Sequence, residues 1–115
     1  MEKEFVPYKL AVKLKALGFD EPCFGYYEPN GELGYIENHI LKDFPYLAKN
    51  SEWQDLVAAP TFSHAFRWFR ERLKDSAIEP YSMVTHISYN RKITFEEAEL
   101  ACLDKLLEIV ESKSE

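Results

Sequence analysis

Ile78-Glu79-Pro80-Tyr81-Ser82-Met83-Val84-Thr85-His86-Ile87-Ser88-Tyr89 is the stretch on which the reading of the fold turns. Tyr81, Met83, Thr85, Ile87 and Tyr89 alternate with Ser82, Val84, His86 and Ser88. A period of two residues is that of a strand buried on one face. The expectation is a strand over residues 78–89, with the tyrosine-containing set against the core and His86 in solvent. Asn90-Arg91 follows as a turn. Thr94-Phe95-Glu96-Glu97 then has the spacing of a capping box, in which the threonine hydroxyl and the Glu97 carboxylate satisfy each other's backbone donors. Ile93 and Ala98 stand where a hydrophobic staple would hold the chain's entry. That box opens a last helix running to about residue 112. Its apolar face carries Phe95, Ala98, Cys102, Leu103, Leu106, Ile109 and Val110, and Leu100 and Leu107 widen it.

Upstream of the decisive stretch, Pro60-Thr61 opens a second helix with Thr61 available as its cap. Phe62, Ala65, Phe66, Phe69 and Leu73 recur at helical spacing and form its buried stripe. Residues 37–59 are the least patterned. Asp43-Phe44-Pro45-Tyr46 suggests a turn there, and residues 53–57 fit a short strand or a helical turn. Residues 23–27 and 33–36 read as two strands joined by Glu28-Pro29-Asn30-Gly31. Proline second and glycine fourth suit a type I turn with a glycine bulge, hence an antiparallel hairpin. The first helix covers residues 7–17, with Pro7 at its start and Leu10, Ala11, Leu14 and Leu17 on one face. Gly18 ends it by taking the left-handed conformation, and Phe19 supplies the apolar contact of a Schellman motif. The element order is then α-β-β-α-β-α. This is an α+β fold with an antiparallel sheet of three or four strands, in one domain over residues 1–115.

Several stretches also resemble a known family. Phe5-Val6-Pro7-Tyr8, Leu17-Gly18-Phe19-Asp20-Glu21-Pro22-Cys23-Phe24-Gly25-Tyr26, Ala59-Pro60-Thr61, Ala65-Phe66-Arg67-Trp68-Phe69-Arg70-Glu71 and residues 96–103 are similar to short hypothetical proteins of gut anaerobes, their prophages and phages. The resemblance spans nearly the whole chain except residues 37–58. That family has no assigned activity, so the resemblance carries over no catalytic or binding residue. It implies a phage- or mobile-element-associated setting.

Composition narrows the function classes. With 115 residues, 46% hydrophobic and 15% aromatic, the chain carries too much apolar payload to remain disordered. No apolar run reaches the ~18 residues of a membrane span, and the N-terminus lacks a signal-peptide pattern. The expected setting is the cytoplasm, with Cys23 and Cys102 reduced and unbridged. Net charge is −6, unevenly spread. Residues 96–115 hold seven acids against two lysines, and residues 67–92 hold six bases against three acids. The acidic total weighs against non-specific nucleic-acid binding.

Catalytic chemistry finds no motif. His39, His64 and His86 lie in separate segments without metal-ligand spacing, and neither a phosphate loop nor a nucleophile elbow is present. Cys23 and Cys102 read as small hydrophobes rather than nucleophiles. Glu99 projects between Phe95 and Leu103 in the apolar sector of the last helix, where it reads as a boundary residue rather than a catalytic acid. No catalytic residue, metal ligand or cofactor is assigned. The second helix is the candidate interaction surface, with Arg67, Arg70 and Lys74 on one flank. Trp68 and Arg72 stand on the other, four residues apart, close enough for guanidinium–indole stacking. Tryptophan and arginine are the residue types that dominate protein interfaces. The arginines are expected to lie near the acids of the last helix, and Trp68 to be mostly buried at the rim. The leading function is a protein-binding module, with self-association included. The alternative is a nucleic-acid-contacting protein using helix 61–74 and the basic turn at 90–92. Third comes a small enzyme built on a Cys/His or carboxylate site.

Overall fold

The computed structural model describes residues 4–35, 49–51, 55–74 and 78–114. His39, the turn at 43–46 and Trp53 lie outside them. The architecture is α+β. Among the described residues the elements are α1 (Tyr8–Ala16), β1 (Gly25–Tyr27), β2 (Leu33–Tyr35), β3 (Val57–Ala59), α2 (Phe62–Arg72), α3 (Pro80–Arg91) and α4 (Phe95–Ser114). They group into two compact units, Met1–Thr61 and Phe62–Glu115.

In the first unit the strands form one antiparallel sheet in the order β2-β1-β3. Tyr26 of the central strand stands opposite Gly34 on one side and Ala58 on the other. The hairpin turn is of the expected kind. The Gly31 amide donates to the Glu28 carbonyl (2.8 Å), Gly31 has φ +87°, and the Glu28 amide donates to the Glu32 carbonyl (2.9 Å). The third strand lies at Val57–Ala59, sharing only Val57 with the short strand or helical turn considered at 53–57. Helix α1 packs against it, burying Ala11 and Leu14. Pro7 sits just before the first helical residue, in an extended conformation. At the far end the Phe19 amide donates to the Leu14 carbonyl (3.0 Å) and the Gly18 amide to the Lys15 carbonyl (3.1 Å). With Gly18 at φ +97° and Phe19 buried, this is the Schellman ending that the sequence requires.

A buried asparagine ties that helix end to the sheet. The Asn50 side-chain amide donates to the Phe19 carbonyl (2.7 Å), and its oxygen accepts from the Ala58 amide (2.9 Å). Beside it, Asp20 accepts from the Ser51 amide (2.7 Å), a bond that holds the Asp20 carboxyl below its ordinary pKa. The N-terminal segment closes against β3 and β1: the Val6 amide donates to Pro60, and the Tyr27 hydroxyl donates to Val6 at 2.6 Å.

The second unit is three helices, and here the sequence reading needs correction. Residues 78–89 are not a strand: α3 runs from Pro80 to Arg91, so the observed order is α-β-β-β-α-α-α. Proline cannot donate to a strand ladder, but its fixed φ suits the first turn of a helix. The Glu79 carboxylate caps that turn, accepting from the Tyr81 amide at 3.0 Å. Pro80 and Val84 are buried with Ile87 and Ser88 half-buried behind them, a spacing of four then three or four residues. Val84, assigned outward by the strand reading, is fully buried. Tyr89, assigned inward, is 83% exposed.

Helices α3 and α4 pack against each other, the chain turning between them at Lys92, whose φ of 55° is left-handed. The capping box is present: the Thr94 amide donates to Glu97 and the Glu97 amide to the Thr94 hydroxyl, each at 3.1 Å. Ala98, Cys102, Leu103, Leu106, Leu107 and Val110 are buried from α4, whereas Phe95, placed in the apolar face by the sequence, is 48% exposed. Both cysteines are buried and unbridged.

A β-carbon at Gly18 meets no atom within 4 Å, so Gly18→Ala isolates the cost of the left-handed backbone. Denaturant unfolding is expected to show a loss of about 1 kcal/mol. An unchanged midpoint would count against the Schellman ending.

Candidate interaction surface

The exposed residues of α2, α3 and α4 differ in chemistry. On α2 the buried stripe is Phe62, Ala65, Phe66, Phe69 and Leu73, as the spacing dictates, with Trp68 added. Trp68 is 8% exposed. Its ring packs edge-on to Phe69, and the Arg72 guanidinium covers it at 4.7 Å from the ring centre. The stacking pair is thus formed, but the indole is a covered core-edge group. Arg67, Arg70 and Lys74 are all exposed along one flank.

Arg70 does not reach for α4. Its Nε donates to Glu79 Oε2 at 2.8 Å and its Nη2 to Glu79 Oε1 at 3.0 Å, a bidentate pair with the residue that caps α3. The arginine also lies 5.8 Å from the Tyr81 ring centre. Hydrogen bonding to Arg70, then to the Tyr81 amide, lowers the Glu79 pKa, and the same pairing raises that of Arg70. Among the described residues, Arg67 and Lys74 have no ion-pair partner. The basic flank therefore divides: Arg70 serves the fold, Arg72 covers Trp68, and Arg67 and Lys74 remain for solvent or a ligand.

The outer face of α4 is acidic, with Glu96, Asp104, Glu108 and Glu111 exposed around Leu100. Glu99 is half-buried, and burial followed by the nearby Glu96 raises its pKa. One turn on, the Cys102 thiol is buried against the Pro80 carbonyl (3.5 Å). Burial and Glu99 push its pKa to about 12, and burial and Glu21 do the same for Cys23. Thiols that titrate there stay protonated at neutral pH, so neither is an activated nucleophile. Among the described residues no cluster of three His, Cys, Asp or Glu side chains could hold a metal ion, and none of their helices is long and apolar enough to cross a membrane.

The face of α3 is the one that the sequence reading missed. Residues 80–90 contain no Asp, Glu, Lys or Arg in a chain that is 30% charged. Their exposed positions are Ser82, Thr85, His86, Tyr89 and Asn90, one continuous helical side. Asn90 donates to the His86 carbonyl at 2.9 Å and lies 3.0 Å from its ring nitrogen, while Thr85 donates back to Tyr81. The Tyr89 hydroxyl has no partner among the described residues. Among the described residues the charge-free run at 56–66 is largely buried, whereas α3 turns its run into solvent.

The Arg70–Glu79 pair gives stability a pH dependence of definite sign. The folded state holds Glu79 ionised more tightly than the unfolded chain does, because its pKa is lowered. The contribution is therefore complete above the ordinary value of 4.5 and is lost as pH falls through the lower folded value. Glu79→Gln is expected to lower the midpoint of unfolding at pH 7, with the gap to wild type narrowing in acid. A gap independent of pH would mean that the carboxylate charge does not contribute. Comparison with protein-family models, curated proteins and solved structures gives no match to this chain.

Proposed function

We propose that this chain is a small cytoplasmic protein-binding module, in the phage- or mobile-element-associated setting that the resemblance implies, and that it binds through the outer face of α3. The observation that carries this reading is the charge-free exposed side of α3 with Tyr89 83% exposed at its end. Interface centres are depleted in charge and enriched in tyrosine, which offers a large rigid contact area at low entropic cost. Ser82, Thr85, His86 and Asn90 add adaptable hydrogen-bonding groups without the desolvation penalty of an ion. The exposed sides of α2 and α4 are charged, as a solvated helix surface ordinarily is. Arg67 and Lys74, which have no ion-pair partner among the described residues, supply charge beside this face rather than its centre.

A second reading rests on a separate observation. Arg67, Arg70, Arg72, Lys74, Arg91 and Lys92 are all exposed, and together they could contact phosphates. The acids of α4, beginning at Glu96 directly after the basic turn, oppose that use, and the uncharged α3 face gives it no support.

The experiment is site-specific photo-cross-linking in cells, with a photoreactive phenylalanine analogue at position 89 and, as control, at Val12, which is 39% exposed on α1. A discrete protein adduct from position 89 and none from position 12 is expected. No adduct, or the same pattern from both positions, would overturn the reading. A mobility shift with nucleic acid that weakens steeply with salt would favour the second reading instead.

A further inference from the structure

The charge arrangement along α3 also indicates what this face meets. Two copies of a chain with net charge −6 repel, so a self-contact is favoured where neither sign is displayed. In a closed two-fold dimer the same patch meets itself, and any ion near the axis faces its like. Residues 80–90 are free of that problem. The ends of α3 are charged and opposite in sign: Glu79 precedes its first turn, with the side chain 41% exposed, and Arg91 and Lys92 close its last. Run antiparallel, two such helices place each acid beside a base; run parallel, they set like against like. The helix dipoles favour the same choice.

Resting on the protein-binding reading above, we propose that the partner of this face is a second copy of the chain, docked α3 to α3 in antiparallel about a two-fold axis between Thr85 and His86. In that register Tyr89 of one copy covers Ser82 of the other, and Lys92 reaches Glu79. The Glu79 carboxylate already holds Arg70, so the incoming lysine adds to a pair rather than meeting an isolated acid. The contact is small. A helix of 12 residues is about 18 Å long, and a single helix-on-helix contact falls below the ~1,200 Å² of stable interfaces. The dimer is accordingly weak and reversible, forming at high local concentration.

The test uses the purified full chain with one added thiol. Cys23 and Cys102 are buried and titrate near 12, so a short bismaleimide at neutral pH addresses only the new one. Thr85→Cys places a thiol beside the proposed axis, and Val12→Cys places one on α1. Thr85→Cys is expected to be converted to covalent dimer at least about tenfold faster than Val12→Cys, and adding Tyr89→Glu, which sets an unpaired carboxylate against Ser82 of the other copy, one turn from its Glu79, is expected to abolish the difference. In sedimentation velocity the unmodified chain should move faster as concentration rises, and Lys92→Glu should shift that rise to about tenfold higher concentration. Equal cross-linking rates at positions 85 and 12, or a dimer unaffected by Tyr89→Glu, would overturn the self-docking proposal. A photo-adduct from position 89 in cells with a protein other than this chain, alongside equal cross-linking rates, would remove the second copy and leave the binding reading standing. Failure of both assays would remove both.

Discussion

Three hydrogen bonds converge on one carboxylate, and the second unit is organised by them. Glu79 accepts from Arg70 Nε, Arg70 Nη2 and the Tyr81 amide. The first two tie α3 to α2; the third starts α3 at Pro80. None is large in energy, because solvent screens an exposed ion pair and a cap satisfies a single backbone donor. Their effect is to fix phase. With the helix beginning at Pro80, Val84 must turn to the core, and Ser82, Thr85, His86 and Tyr89 must turn to solvent. Shifting the start by one residue would rotate every one of these side chains by about 100°. The Schellman ending at Gly18 and the Asn50 bridge have the same character in the first unit, since each fixes where α1 stops against the sheet.

How far the sequence could be read follows from where its signals were local. Gly18 with Phe19, the Pro29–Gly31 turn and the Thr94–Glu97 box each specify a backbone geometry within four or five residues, and each is present. The buried stripe of α2 was equally legible because five apolar residues repeat at one spacing. Residues 78–89 were misread because their alternation satisfies a two-residue period, while the helical set of Pro80, Val84 and Ile87 is short and contains a proline. The contrary signal was present: a proline inside a central strand breaks its ladder, and an acid before it can cap a helix. Strand β3 is three residues long, too short to show a period. Asn50 is one polar residue in an unpatterned stretch, and its two partners, 31 and 8 positions away, appear only in three dimensions.

The candidate surface moved for the same reason. Sequence places Arg67, Trp68, Arg70 and Lys74 together as a basic and aromatic flank, and the helix does present the cations on one side. Interactions outside α2 divide them: Glu79 takes Arg70, and the core takes Trp68 beneath Arg72. Meanwhile a run with no charge, read as half of a strand, becomes the solvent side of a helix. An uncharged exposed side is informative because solvated helices ordinarily carry charged residues there, as α2 and α4 do. The buried thiols fit this division, since burial holds them protonated and chemically quiet.

The uncharged side of α3 reaches solvent only if residues 80–91 are helical with Val84 inward. Carbon-13 Cα chemical shifts in solution test that directly. A continuous displacement to the helical side of random-coil values from Pro80 through Arg91, together with slow amide exchange around Val84 and Ile87, is the result expected. Shifts to the extended side across this stretch would contradict the account and remove both the α3 face and everything built on it.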